Sequence, residues 1–277
     1  ITVTILAMIT LASSDAISKY LTGFAPLMQI VWVRYLVFFT YGSFAALRQS
    51  AGSGFRSNRP ILQIVRGCCL VCANVVIIYG FRKLPLGDVH AVMAIAPLLV
   101  TVVAVVFLAE RVSADRWVAI LFGFVGILII VRPGTTVFDP VVLFPLLGSA
   151  LFGIYQVITR VLSQVDHQAT TQFYTGATGF FWFSLLMFYW WDSLSVWIWV
   201  LMLVGGMTNV FSHLLIIQGL HWAPASMVQP FHYTMFVAAV ALGYLVFGDF
   251  PDQFTLIGAA IVIVSGLYSF FAARRIS

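Results

Sequence analysis

The sequence is a succession of apolar runs of 18 to 26 residues, separated by short segments that contain Pro, Gly or charged residues. A helix of roughly 20 apolar residues spans the hydrocarbon core of a bilayer. Only 8% of the side chains are charged and 62% are hydrophobic, whereas about a quarter of the residues in a soluble domain are charged. The chain is therefore predicted to be an all-α polytopic membrane protein, and a water-soluble globule is excluded.

Ten transmembrane helices are predicted from these runs. Their ranges are 1–20, 26–47, 61–80, 86–109, 115–132, 138–163, 168–191, 195–219, 223–248 and 253–272. The only long polar connection is the segment from Arg48 to Pro60. Since the sequence opens inside an apolar run without a basic segment, we expect no secretory signal peptide. The spans leave no room for a separate soluble domain.

The cations predict the orientation. Nine Lys or Arg residues lie on the side reached after even-numbered spans and four lie on the other side. Cytoplasmic loops of membrane proteins are enriched in Lys and Arg. Both termini are therefore predicted to be cytoplasmic, in the inner membrane of a bacterium. The net charge of +5 is a topology signal, and no nucleic-acid partner is predicted, because the cations do not form a stripe with interleaved aromatic residues.

Markers that recur at nearly one offset predict an internal repeat. Gly80 with Pro85 and Gly219 with Pro224 are 139 residues apart. The same or a similar offset relates three further pairs, which are Glu110 with Asp249, Gly126 with Gly266, and Lys19 with Arg160. The chain thus divides into two five-helix repeats, residues 1–135 and 136–277. Because five is odd, the second repeat enters the membrane from the opposite side, and the repeats are inverted, as in secondary transporters.

Several short motifs resemble one family. They are the run Phe24 to Arg34, Tyr79-Gly80-Phe81 with Leu84-Pro85, Ala96-Pro97-Leu98, Leu108-Ala109-Glu110-Arg111, and Gly123-x-x-Gly126 before Arg132-Pro133-Gly134. With them the chain resembles EamA-type members of the drug/metabolite transporter superfamily, and its long, aromatic-rich, His-containing helices are similar to those of the YddG-like amino-acid exporters. In place of the usual Gly-Glu-Arg, the second half has Gly248-Asp249-Phe250.

The resemblance implies a secondary transporter that exports amino acids, aromatic and hydrophobic ones included, and similar small metabolites by alternating access. Uptake, or efflux of another metabolite or of a drug, is the alternative. A channel is disfavoured because dissimilar residues such as Asn74 and His213 occupy equivalent positions, and an enzyme because no catalytic constellation occurs at membrane depth. The expected partners are a small-molecule substrate and the lipid bilayer. No cofactor or metal is predicted, and the sequence does not indicate the oligomeric state.

Polar residues within the spans predict a substrate cavity, since a polar side chain facing lipid is costly. The repeat offset pairs Asn74 with His213, Tyr79 with Gln218, His90 with Gln229, and Met93 with His232. Ser14, Tyr155 and Gln156 complete the predicted substrate-binding set. Amide, imidazole and phenol groups suit a zwitterion with an apolar side chain. The same residues also fit buried core histidines, interhelical hydrogen bonds and packing.

Arg34 and Asp15 form a predicted charge pair. Arg34 lies eight residues into the second span, about 12 Å deep at 1.5 Å per residue, and Asp15 is the carboxylate nearest in depth. The pair is interpreted as a structural clamp, with a substrate-carboxylate anchor as the alternative. Cys68, Cys69 and Cys72 share one apolar run and are expected to pack as small hydrophobic residues.

Overall fold

The protein is described from a computed structural model that covers residues 2–49, 54–108, 114–132, 139–223 and 228–274. All regular elements in these ranges are helical, and eleven are α-helices. They are α1 (Thr2–Leu21), α2 (Leu27–Leu47), α3 (Pro60–Lys83), α4 (Leu86–Met93), α5 (Ala96–Leu108), α6 (Ala114–Val131), α7 (Leu143–Leu162), α8 (Gln168–Trp190), α9 (Val196–Trp222), α10 (Tyr233–Leu242) and α11 (Gln253–Arg274). Short 3-10 turns precede α7 and α10, and a π-helical turn, Gly243–Phe247, follows α10.

Among the described residues, four helical segments are long and apolar enough to cross a membrane, namely Leu27–Leu47, Pro60–Lys83, Pro140–Leu162 and Val196–Trp222. Four shorter apolar helices are Leu86–Val100, Trp117–Val131, Tyr233–Phe247 and Gln253–Ser269. Hydrocarbon offers no hydrogen-bond partners, and in a helix the backbone N–H and C=O groups pair with each other. The fold is therefore that of a polytopic helical membrane protein.

The predicted fourth span is broken into α4 and α5. Pro97 has no backbone N–H, and its ring clashes with the carbonyl of Met93, four residues earlier. As a result α4 ends at Met93, one turn before the proline, and α5 begins at Ala96. The ninth span is also irregular, with a 3-10 turn at Gln229–His232.

Several predicted boundaries are displaced. The third helix continues three residues beyond the predicted end, to Lys83, and the eighth span continues to Trp222. The predicted repeat markers Glu110 and Pro224, and most of the Arg132-Pro133-Gly134 motif, lie outside the described residues. The cysteines do not all pack as expected. Cys69 packs against the core, whereas Cys72 is exposed on the outer face of α3.

The helix contacts relate the two halves of the chain. The main packing pairs are α2 with α8, α6 with α11, α1 with α9, and α3 with α7. In addition α1 packs on α10, and α7 packs on α4 and α5. When each predicted span is exchanged with its counterpart five spans away, every pair in this set becomes a pair of the same set.

Glycines allow two of these pairs to approach closely. A methyl group at Gly176 would overlap the backbone of Phe39, and one at Gly42 would lie 2.6 Å from Phe173 Cα. At the α6–α11 contact, a methyl at Gly126 would lie 2.7 Å from the carbonyl oxygen of Gly258. Small residues are what membrane helices use for close backbone packing.

The helices end in two opposed layers. At the end here called distal, the end of α1 meets the end of α3, where Lys19 Nζ donates to Leu84 O at 2.8 Å and lies 3.6 Å from Asp249. At the opposite, proximal end, Arg160 donates to the carbonyls of Leu220 and His221. Bonds of the same kind thus connect the ends of α1 and α7 to neighbouring helices.

We predict that Gly176→Ala weakens the fold by separating α2 from α8, because the added methyl meets backbone that cannot rotate away. Overpacking of this kind costs about 1–3 kcal/mol. Thermal unfolding of the purified protein in detergent should show a clear fall in Tm. The matched control is Gly153→Ala, whose methyl would lie at an ordinary 3.5 Å from Val100. Equal Tm values for the two variants would contradict the close-packing argument.

The cation count predicts that the proximal end faces the cytoplasm. A cysteine-free background with Arg56→Cys at the proximal end should react with a membrane-impermeant maleimide only after the cells are opened. Ser193→Cys, exposed at the distal end, should react in intact cells. The reverse labelling pattern would show that the orientation is wrong.

Candidate functional site

A buried arginine joins three helices near the middle of the bundle. Arg34, on α2, is only 3% exposed. Its guanidinium donates to Asn74 Oδ1 on α3 at 2.7 Å and to Ser18 Oγ on α1. Asn74 in turn donates from Nδ2 to the hydroxyl of Tyr35 at 2.8 Å, which directs its carbonyl oxygen toward Arg34. These bonds compensate a charge that would be costly in hydrocarbon.

Asp15 supplies the opposite charge. Its Oδ1 lies 3.9 Å from Arg34 Nη2, and its Oδ2 lies 3.6 Å from His90 Nε2 on α4. Both separations exceed a normal hydrogen bond, so the contacts are electrostatic and the carboxylate keeps lone pairs for a further donor. We call Asp15, Arg34, Asn74 and His90 the charged centre.

Two narrow cavities adjoin the charged centre. The space open to the centres of water molecules is about 20 Å³ in one and 30 Å³ in the other, so only a few water molecules fit among their side chains. They share Met93, Phe152 and Met235 and together form what we call the central cavity. Its other lining residues are Leu11, Asp15, Leu70, Ala73, Asn74, Ile77, His90, Ala94, Ala96, Pro97, His213, His232, Tyr233 and Phe236. The cavity therefore combines apolar walls with the carboxyl group of Asp15, the amide of Asn74 and imidazole rings. Arg34 does not line it, but contacts the lining residues Asp15 and Asn74.

Two of the residue pairs derived from the repeat offset meet in this cavity. Asn74 and His213 line its first part, and Met93 and His232 line its second part. His90 also lines the second part. The backbone of Gln229 lies in the 3-10 turn before α10, but its side chain lies outside the described atoms.

Ser14 and Tyr155 lie just outside the cavity. Ser14 Oγ donates to Gly205 O and accepts from Asn209 Nδ2, each at 3.1 Å, and so joins α1 to α9. The Tyr155 ring stacks on Phe152, with centroids 5.6 Å apart. Both residues support the cavity wall from behind.

Three further predicted residues are also absent from the cavity lining. Tyr79 packs on Phe144, with ring centroids 4.7 Å apart. Gln218 lines a separate polar pocket at the proximal end, beside Ser163 and His221. Gln156 is fully buried in α7. A constant sequence offset relates positions along helices, but it does not determine which helix face points inward.

Sequence reasoning missed a second buried cation, Arg66. Counted in the sequence as a surface cation, it is in fact fully buried on α3. It donates to Gln63 Oε1 at 3.2 Å, to Thr171 O at 2.6 Å and to Thr175 Oγ1. The available signal was its position six residues into a helix, together with polar residues on its own face. Arg34 is therefore not the only cation inside the bundle.

Asp166 organises the proximal end next to Arg66. It accepts from Ser57, from the backbone and side chain of Asn58, and from Gln63 Nε2 at 2.8 Å. Partial burial works against the charged form, but these hydrogen bonds together hold the pKa of the Asp166 carboxyl below its ordinary value. The resulting network fixes the connection between α7 and α8 against the start of α3.

Within the described ranges, no group of three or more His, Cys, Asp or Glu side chains is placed to hold a metal ion. The charged centre instead offers a guanidinium, a carboxylate, an amide and an imidazole next to a small cavity. These groups bind polar organic molecules through hydrogen bonds and charge. A cavity of this kind inside a helical membrane bundle is characteristic of membrane transport proteins.

The sequence model of the EamA-like transporter family matches residues 1–132 and again residues 140–271. The chain belongs to this family, whose members are transporters and not enzymes. A crystal structure with a TM-score of 0.70 covers 99% of this chain and 97% of its own, at 17% identity, and so shares the fold.

Characterised relatives carry different transporter names. An S-adenosylmethionine uptake transporter of Rickettsia prowazekii is 25% identical over 98% of this chain and 92% of its own length. A riboflavin transporter of Vibrio cholerae is 30% identical over 65% of this chain and 61% of its own. A pseudopaline exporter of Pseudomonas aeruginosa is 24% identical over 94% of this chain and 92% of its own. The chain is therefore a small-molecule transporter and a multi-pass membrane protein.

The charged centre predicts strong coupling between Asp15 and Arg34. Asp15→Asn leaves a buried guanidinium without its counter-charge, and removing one partner of a buried pair costs about 3–5 kcal/mol. The double variant Asp15→Asn/Arg34→Met should recover part of this loss in thermal unfolding. Disruption of the more exposed Lys19–Asp249 pair, whose side chains are 14% and 39% exposed, should cost only about 0–1 kcal/mol. Strictly additive losses for Asp15 and Arg34 would contradict a clamp.

Proposed function

We propose that the chain is an alternating-access carrier for amino acids and for related small metabolites that bear an amino-acid group. The observation that carries this proposal is the pairing of opposite charges beside one apolar cavity. A zwitterion has one group for each charge. An uncharged or purely anionic substrate would leave part of the charged centre unused.

The lining suggests how such a substrate is held. Its carboxylate would lie toward Arg34 and Asn74, since a guanidinium with an adjacent amide suits a carboxylate. Its ammonium would lie toward Asp15. Met93, Phe152 and Met235 offer polarizable and aromatic surface for an apolar or aromatic side chain. Each contact is modest, which favours release as well as capture.

Alternating access is supported by the relation between the two halves. The family model matches each half, and the helix packing pairs are exchanged by swapping the halves. The predicted fourth span is interrupted between Met93 and Ala96, and the predicted ninth span has a 3-10 turn at Gln229–His232, so corresponding spans of the two halves are both irregular. We infer two inverted five-helix repeats, 1–135 and 136–277, that form ten spans and exchange conformations around the central cavity.

The small cavity corresponds to a closed form. The few waters that it admits occupy less space than an amino acid with a large side chain, so the helices must separate to load substrate. The two access states must lie within a few kcal/mol of each other for turnover. The broken spans, α4 with α5 and the segment around α10, are suited to this motion because fewer regular backbone bonds hold them.

In this proposal the concentration gradient of the substrate sets the direction of transport, because no obligatory ion is invoked. For amino acids that accumulate in the cytoplasm the result is export through the bacterial inner membrane, with both termini inside. Relatives named for uptake and for export are both compatible with a carrier that runs either way. S-adenosylmethionine contains a methionine group, so the relative from Rickettsia favours the same chemical class.

The test is flux into proteoliposomes. Preloading unlabelled leucine should accelerate entry of labelled leucine, because a carrier returns faster when occupied, and phenylalanine should compete with it. Riboflavin and S-adenosylmethionine, added as further competitors, separate an amino-acid carrier from one specific for either relative's substrate. His213→Ala should lower the flux at unchanged Tm.

Absence of counterflow for every amino acid tested would reject the proposed substrate class. Flux that does not respond to preloading would indicate a channel in place of a carrier.

A further inference from the structure

His213 has one ring nitrogen committed to its own helix. Its Nδ1 lies 2.9 Å from the carbonyl oxygen of Asn209, one turn earlier on α9. A carbonyl oxygen only accepts hydrogen bonds, so Nδ1 must carry the proton. In the neutral ring, Nε2 then presents a lone pair and acts as an acceptor.

This acceptor is buried and has no hydrogen-bond partner in the described part of the chain. His213 is 1% exposed and lines the central cavity together with Asp15 and Asn74. Buried polar atoms are nearly always satisfied. An unsatisfied acceptor at a cavity wall is explained if a bound molecule supplies the missing donor.

The imidazole is held in place by two aromatic rings. Phe38 meets it edge-on with centroids 5.3 Å apart, and Tyr155 meets it at 5.8 Å. Together with the bond to Asn209, these contacts fix the plane of the ring. The acceptor is therefore presented in one direction without the entropy cost of ordering a mobile side chain.

The neighbouring polar groups have other commitments. Asn74 Oδ1 accepts from Arg34, and Asn74 Nδ2 donates to Tyr35. Asp15 has lone pairs, but as a carboxylate it attracts any cation, with or without N–H groups. Among the polar residues that line the same part of the cavity, which are Asp15, Asn74 and His213, only Nε2 of a neutral His213 is an uncharged acceptor that has no partner among the described residues.

We propose that His213 Nε2 accepts a hydrogen bond from the substrate's ammonium group and makes the carrier selective for amines that have N–H donors. This inference rests on the proposed function and adds a division of labour to it. Asp15 attracts the positive charge. His213 requires an N–H donor and so discriminates primary amines from methylated amines of the same charge.

The experiment uses the whole protein in proteoliposomes and measures inhibition of labelled leucine counterflow. The competitors are leucine, its N-methyl, N,N-dimethyl and N,N,N-trimethyl derivatives, and the 2-hydroxy acid of the same skeleton. The trimethyl compound keeps the charge and has no N–H, whereas the hydroxy acid has a donor and no positive charge. In the wild type, potency should fall at each methylation and by about tenfold or more over the series.

His213→Phe should flatten this methylation series, because the aromatic shape is kept and the acceptor is lost. His213→Gln returns an acceptor oxygen and should restore part of the discrimination. Asp15→Asn should instead reduce the preference for leucine over the hydroxy acid. Ratios within one variant are compared with ratios in the wild type, so the added bulk of the methyl groups cancels.

The matched control is His221→Phe, which replaces a histidine two turns further along the same helix and outside the central cavity. It should leave the methylation series unchanged. His213→Met serves as a second apolar replacement if the phenylalanine variant does not fold, as judged by Tm.

An equally steep methylation series in the wild type and in the folded His213 apolar variant would overturn the assignment and leave His213 as a core residue. If leucine neither exchanges nor competes in the folded wild type, the proposed function itself fails, and this inference fails with it. A flattened series confined to the His213 variants supports both.

Discussion

The charge of Arg34 in the interior of the bundle sets much of the surrounding structure. A guanidinium in hydrocarbon must be compensated, and this one recruits Ser18, Asn74 and Asp15 from two other helices. Asp15 extends the network to His90 on a fourth element. The helices that carry the charged centre are thereby fixed in register, and the central cavity forms where their polar faces meet.

Close backbone packing complements this polar network. The glycines of the α2–α8 and α6–α11 pairs bring main chains into contact, and such contacts stabilise membrane helices where lipid removes the usual hydrophobic drive. By contrast, α4, α5 and the region of α10 are interrupted at Pro97 and around Pro230. The structure thus joins tightly packed helix pairs to segments that have fewer regular backbone bonds, and the latter border the cavity.

Arg34 and Arg66 show how context decides what a buried charge does. Arg34 faces a carboxylate that lines the central cavity, so its charge becomes available to a substrate in a state that loosens the clamp. Arg66 donates to neutral groups on α3 and α8, which use most of its N–H groups in joining helices. Family membership establishes a small-molecule transporter, and relatives of this chain are named for different substrates.

The sequence by itself determined the environment, the helical class and the family resemblance, because span length and scarcity of charge follow directly from the cost of polar groups in lipid. The constant offset between the repeats also predicted that Asn74, His213, Met93 and His232 line one cavity. Only the tertiary structure decided that Tyr79 and Gln218 lie elsewhere, that Arg66 is buried, and that the fourth span breaks before Pro97. Helix rotation and packing set which face points inward, and these depend on contacts between residues far apart in the chain.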